Sequence, residues 1–197
     1  MRYEGMLSPN LYIPFFNVEF PMPWWLYMVF AAFVMVGTVN AVNLTDGIDG
    51  LATGVTMPVM LFFTAVACFW GQLELGIFSA GLFGGLCGFL IYNFHPAKVF
   101  MGDTGSMFFG GIVTALAFVM QRPELVLFFG IVYIWDAMTV VIQRTYFKAT
   151  HGKRIFRMTP IHHAFEMRGW REVKIDGFFA LIAVIGVAMG IFYICVA

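Results

Sequence analysis

Asp46 and Asp49 stand three residues apart in NAVNLTDGIDGLA, residues 40–52, each followed by a glycine. Asn43 lies three residues before Asp46, so a helix through this stretch would put all three polar side chains on one face. Gly47 and Gly50 would let a backbone or a ligand approach closely. A plainer reading makes these residues caps for free N–H groups where the next helix begins, which accounts for one of the three but not for all. A third carboxylate, Asp103, sits between Gly102 and Gly105 in NFHPAKVFMGDTGS, residues 93–106. Ionised carboxylates gathered in one place repel one another. A hard divalent cation relieves that repulsion, and Mg²⁺ commonly takes one or two carboxylates together with phosphate oxygens. Neither stretch has EF-hand spacing, and GDTGS lacks the length and the lysine of a P-loop. MGDTGS opens onto an apolar run, so Thr104 or Ser106 is expected to cap a helix whose first N–H groups could face an anion. A capped, water-facing helix start without a ligand is the alternative.

A third stretch, RIFRMTPIHHAFEMRGW, residues 154–170, is basic and aromatic with adjacent histidines. It has no HExxH pattern and no cysteine nearby, which speaks against zinc. His162 and His163 would point in different directions on a helix, and His163 with Glu166 at i, i+3 can form a local pair. Solvated or structural histidines remain open at this point. Beside Arg154 and Arg157 they also suit a diphosphate or a nucleotide, because arginine makes bidentate phosphate contacts and histidine can donate.

The elements that must position these residues are apolar. The 197 residues are 61% hydrophobic, 18% aromatic and 11% charged, with a mean hydropathy of +0.86, far from soluble domains. The reading is an all-α polytopic transmembrane bundle forming a single membrane domain over 1–197. Zero net charge gives no indication of nucleic acid. Six spans of about 20 residues are expected, at 24–42, 51–70, 75–94, 106–121, 125–143 and 177–196. Residues ahead of the first span, NLYIPFFNVEFPMP, suit a short extended or hairpin segment, and Trp24, Trp25 and Tyr27 an interfacial belt. No cleavable signal peptide is visible. Cys68, Cys87 and Cys195 lie far apart in apolar runs and read as small buried hydrophobes. Gly81 with Gly85, and Gly84 with Gly88, form overlapping GxxxG patterns, a sign of close helix packing that leaves a homodimer open. With six spans, all three polar stretches share one side of the membrane. That side holds nine of the 11 basic residues, all but Arg2 and Arg122, and by the positive-inside rule it is cytoplasmic. Asp136 falls within the fifth span, where a carboxylate marks an ion path or pairs with a neighbouring helix.

The three stretches together resemble the signature sequences of the bacterial phospho-N-acetylmuramoyl-pentapeptide transferase family, within the polyprenyl-phosphate N-acetylhexosamine-1-phosphate transferases. The resemblance runs from about residue 10 onward. It implies transfer of phospho-MurNAc-pentapeptide from UDP-MurNAc-pentapeptide to undecaprenyl phosphate, releasing UMP and forming lipid I at the cytoplasmic face of the bacterial inner membrane, with Mg²⁺ required. It makes Asp103 the metal ligand and sets Asp46 and Asp49 in the same catalytic cleft. Asn43 and Asn93 become polar positions of that cleft, and His162 and His163 nucleotide contacts. Two features depart from the family pattern. Ala164 stands where a third consecutive histidine is usual, and the family has ten spans, with an adjacent pair of aspartates in an N-terminal half that has no counterpart here. The expectation is therefore a partial enzyme, inactive or weak alone. The rival readings are a relative transferring N-acetylhexosamine 1-phosphate, against which residues 154–170 speak, and a non-catalytic membrane module or transporter using Asp136.

Overall fold

The computed structural model describes residues 10–13 and 18–196. The expected hairpin is present: β1 (Asn10–Ile13) pairs antiparallel with β2 (Val18–Pro21), Asn10 opposite Pro21 and Ile13 opposite Val18. The helices are α1 (Trp24–Thr45), α2 (Leu51–Phe69), α3 (Leu73–Asn93), α4 (Gly102–Val119), α5 (Val126–Phe129), α6 (Ile131–Ala149), α7 (Ile161–Glu166) and α8 (Glu172–Val196). Trp24 and Trp25 are exposed where the interfacial belt was expected, whereas Tyr27 turns inward and packs edge-on to Phe118 at 6.0 Å.

α2 is the hub. Its most apolar window is 61% buried, against 17–33% for the windows of α1, α3, α4 and α8. It packs between α3 and α8, while α1 packs on α4 and α6. Phe62 and Phe63 of α2 meet Phe129 of α5 with ring centroids 5.0–5.5 Å apart. A buried hydrogen bond of 2.8 Å joins the Thr56 and Tyr133 hydroxyls. Lipid tails solvate apolar side chains as well as protein does, so dense packing and such interhelical bonds, worth roughly 0.6–2 kcal/mol each, hold the bundle together.

Five helices are long and apolar enough to cross a membrane, or six if the bent pair α5 and α6 counts as one span. That pair corrects the expected straight span at 125–143. A short 3₁₀ turn (Pro123–Leu125) leads into α5, and the chain then bends by 82° before α6. The bend falls at Gly130, whose N–H bonds to the Val126 carbonyl at 2.9 Å and where a Cβ would run into that same carbonyl. Gly186 lets α8 pass close to the Phe128 carbonyl, which holds α5 in place. α4 starts at Gly102 rather than 106, and neither Thr104 nor Ser106 caps it; the Ser106 hydroxyl donates back to the Gly102 carbonyl at 3.0 Å. Among the described residues the GxxxG glycines of α3 pack against no other helix, since none of Gly81, Gly84, Gly85 and Gly88 would meet a heavy atom within 4 Å of an added Cβ. The three cysteines are free, but Cys68 and Cys195 are exposed on the bundle surface rather than buried.

Candidate active site

α1 ends at Thr45, and Asp46 closes it, its N–H bonding to the carbonyls of Val42 and Asn43. Asn43, Asp46 and Asp49 therefore do not share one helical face. They part into two groups, and the chain reversal between them sends each group to a different neighbour. Asn43, in the last turn of α1, reaches across to α4, where its amide donates to Asp103 Oδ1 at 2.9 Å and to the Ser106 hydroxyl at 2.9 Å. This ties the first polar stretch to the second and fixes the orientation of Asp103 at the exposed start of α4. Asp46 is half-buried beside it. Burial, and then the charge of Asp103, push its carboxyl up to about 6 against the pull of the Gly102 backbone N–H. Two neighbouring carboxylates beside an open helix start suit a hard divalent cation.

Asp49 turns away from this pair. Its Oδ2 accepts the Ala97 N–H at 2.9 Å and lies 3.1 Å from His95 Nδ1. The same nitrogen lies 3.1 Å from Glu172 Oε2, at the start of α8. Asn93 is buried; it accepts from Thr53 at 2.7 Å and donates to the Val99 carbonyl at 3.0 Å. Its amide thus holds the loop between α3 and α4 in place.

α7 brings the histidines in. His162 and Asp136 are both 0% exposed and meet Nδ1 to Oδ2 at 3.1 Å. The intramembrane carboxylate of α6 therefore pairs with a histidine of the polar loop. His162 Nε2 has no hydrogen-bond partner among the described residues, and it lies so close to Gly47 that a Cβ there would collide with it. The His163 ring lies 4.3 Å from that of His162, tilted by 57°, and pairs with Glu166. Ala164 is buried. Arg154 and Arg157 are exposed. Arg154 stacks 5.9 Å over Phe147 and, with Arg144 and Gln143, lines a pocket of about 380 Å³ that none of the acidic residues reaches. Gln143 shapes that pocket by accepting the Ile155 and Phe156 N–H groups at 3.0 Å each.

Sequence reasoning passed over His95, Glu172 and Asp176. His95 lay inside a stretch singled out for its aspartate. Glu172 and Asp176, at i, i+4 on one helix, preceded the residue at which the last span was expected to begin. Gln143 carried no signal in the sequence.

Residues 3–121 match glycosyl transferase family 4. The chain is 48% identical over 176 residues to a phospho-N-acetylmuramoyl-pentapeptide-transferase of Clostridium acetobutylicum, covering 89% of this chain and 55% of the relative. A protein of the same name from Caldanaerobacter subterraneus is 47% identical over 182 residues, covering 92% and 57%. One from Listeria welshimeri is 43% identical over 184 residues, covering 93% and 56%. The chain spans about half the length of these curated relatives and corresponds to a C-terminal portion of them.

Proposed function

The chain belongs to glycosyl transferase family 4, and from that premise we propose that it forms the catalytic face of a phospho-N-acetylmuramoyl-pentapeptide transferase. As one membrane domain in the bacterial plasma membrane, with the polar loops in the cytoplasm, it moves phospho-MurNAc-pentapeptide from UDP-MurNAc-pentapeptide to undecaprenyl phosphate and yields lipid I and UMP. The observation that carries this reading is the Asn43 amide on Asp103, with Asp46 alongside.

The acceptor is a phosphate monoester whose second pKa is about 6, so near pH 7 it is mostly dianionic and needs little help from a general base. One carrier oxygen forms a bond to the sugar-proximal phosphorus. The bond from that phosphorus to the bridging oxygen breaks, and its electron pair leaves on UMP. Asp103 and Asp46 fit Mg²⁺ as oxygen donors, and when bound the ion neutralises charge on the diphosphate. Asn43 orients Asp103. Asp49 and Asn93 hold the two loops that frame the reacting groups. His163, Arg154 and Arg157 lie on the loop side open to an anionic nucleotide, whereas His162 acts as a buried strut beneath Gly47.

The test uses membranes carrying this chain together with the N-terminal spans of the Clostridium acetobutylicum relative. UDP-MurNAc-pentapeptide is expected to give Mg²⁺-dependent UMP release that UDP-N-acetylglucosamine does not, and Asp103→Asn is expected to cut it by at least about a hundredfold. Near-normal turnover by that variant would sink the assignment, and preference for the simple hexosamine nucleotide would favour the related transferases.

A further inference from the structure

Asp49, His95 and Glu172 come from three separate parts of the chain: the turn after α1, the loop before α4 and the first turn of α8. Their ligand atoms lie within 4.8 Å of one another. The arrangement is not that of an ordinary hydrogen-bonded histidine. A single ring nitrogen, Nδ1, faces Asp49 Oδ2 and Glu172 Oε2 at 3.1 Å each, and one N–H cannot point squarely at two acceptors. A first-row divalent cation held about 2.1 Å from each donor sets those donors about 3.0–3.4 Å apart, which matches both separations.

A fourth side chain points the same way. Asp176 lies one turn beyond Glu172 on α8, is 8% exposed, and has neither carboxylate oxygen hydrogen-bonded among the described residues. Its carboxyl interacts electrostatically with Glu172, Asp49 and His95. Its Oδ2 lies 3.2 Å from where a Cβ on Gly50, the neighbour of Asp49, would sit. Asp49, His95 and Glu172 are 20%, 41% and 31% exposed at their side chains, so an ion can enter from the loop side. Without a cation, two carboxylates share one imidazole nitrogen, and Asp176 keeps two buried oxygens without a donor among the described residues, an arrangement that carries a large desolvation cost.

We propose that Asp49, His95 and Glu172 form a second divalent-cation site, separate from the Asp103 group and backed by the buried Asp176 carboxylate, that pins the Asp46–Asp49 turn and the loop before α4 to the start of α8. Two carboxylates and an imidazole nitrogen favour Mn²⁺ or Zn²⁺ over Mg²⁺, which seldom takes histidine. The proposal is independent of which nucleotide the chain uses.

The experiment reads metal, not turnover. The chain carrying Asp103→Asn, purified in detergent and stripped with EDTA, is titrated with Mn²⁺ while free ion is followed by electron paramagnetic resonance. About one Mn²⁺ per chain is expected, with ¹⁴N modulation in the echo-detected spectrum from a coordinated imidazole. Adding His95→Gln is expected to erase the nitrogen signal and weaken binding at least about tenfold, and Asp176→Asn to weaken it similarly. Absence of binding up to millimolar Mn²⁺, a bound ion without ¹⁴N coupling, or unchanged affinity in either variant would overturn the site. The first two readouts need neither His95→Gln nor Asp176→Asn, so a variant that fails to fold does not shelter the proposal. A retained second site beside failed UMP release would separate this inference from the proposed reaction.

Discussion

Gly47 leaves no room for a methyl group, because the edge of His162 occupies the space a side chain would need. Gly47→Ala is therefore expected to destabilise the chain by about 1–3 kcal/mol through overpacking, seen as a lower unfolding midpoint in detergent. The Asp136–His162 pair behind it predicts a sharper pattern. Asp136→Ala strands a fully buried histidine and should cost about 3–5 kcal/mol, whereas Asp136→Leu combined with His162→Leu should recover much of the loss. If the single and double replacements are equally harmful, the pair is not the strut described. Asp46 gives the pH dependence. Its carboxyl is raised to about 6 in the fold, so the folded chain holds that proton more tightly than the unfolded one. Stability in EDTA should then fall as pH rises from the ordinary carboxylate range through about 6, and level off above. Asp46→Asn should lack this limb and unfold later than the parent at pH 7. The carboxylates were legible in the sequence because charge is conspicuous in apolar surroundings. Their grouping was not. Three-residue spacing implied one face, but α1 stops at Thr45, and the turn beyond it sends Asp46 and Asp49 apart. The tie from Asp49 to Glu172 spans residues whose relation no local pattern encodes.

At the scale of elements, hydropathy located all six apolar segments and mistook the shape of one. Length and composition are alike for a straight span and a bent one, so the 82° turn between α5 and α6 was invisible until the close approach of Gly130 to Val126 was known. Gly130→Val should force that junction apart and move α6, which carries both Asp136 and the Gln143 clamp on the 150s loop. A spin-label pair on α1 and α6 should report a changed separation, with Gly54→Val, a glycine with open space around it, as the control that leaves the distance alone. The pairing of Asp136 with His162 also removes the main support for a transporter reading, since the intramembrane carboxylate already has its partner.

At the scale of the whole molecule, the loops carrying Asn43, Asp103, Asp49 and His162 meet at one end of the bundle, as span alternation required. With the basic residues gathered there, that end should face the cytoplasm. Single cysteines at Ala97 and Lys153, in a background without Cys68, Cys87 and Cys195, should both escape a membrane-impermeant thiol reagent added to intact cells; labelling of either breaks the topology. The chain covers 55–57% of these relatives' length, and α1 and α3 leave most of their apolar surface uncovered among the described residues. Lipid I synthesis by the 197 residues alone should accordingly be weak or absent, and should rise on co-expression with a relative's N-terminal spans. An ordinary rate without them would mean that the face carrying Asp46 and Asp103, with its loops, suffices.

The clasp between His95 and Glu172 joins residues 77 apart, and the second of them opens α8. A ribosome delivers α8 after the elements that carry Asn43, Asp103 and His162. Until it arrives the Asp49 turn waits without that anchor, so a nascent chain halted after α7 already possesses those three side chains yet lacks the carboxylate that faces His95.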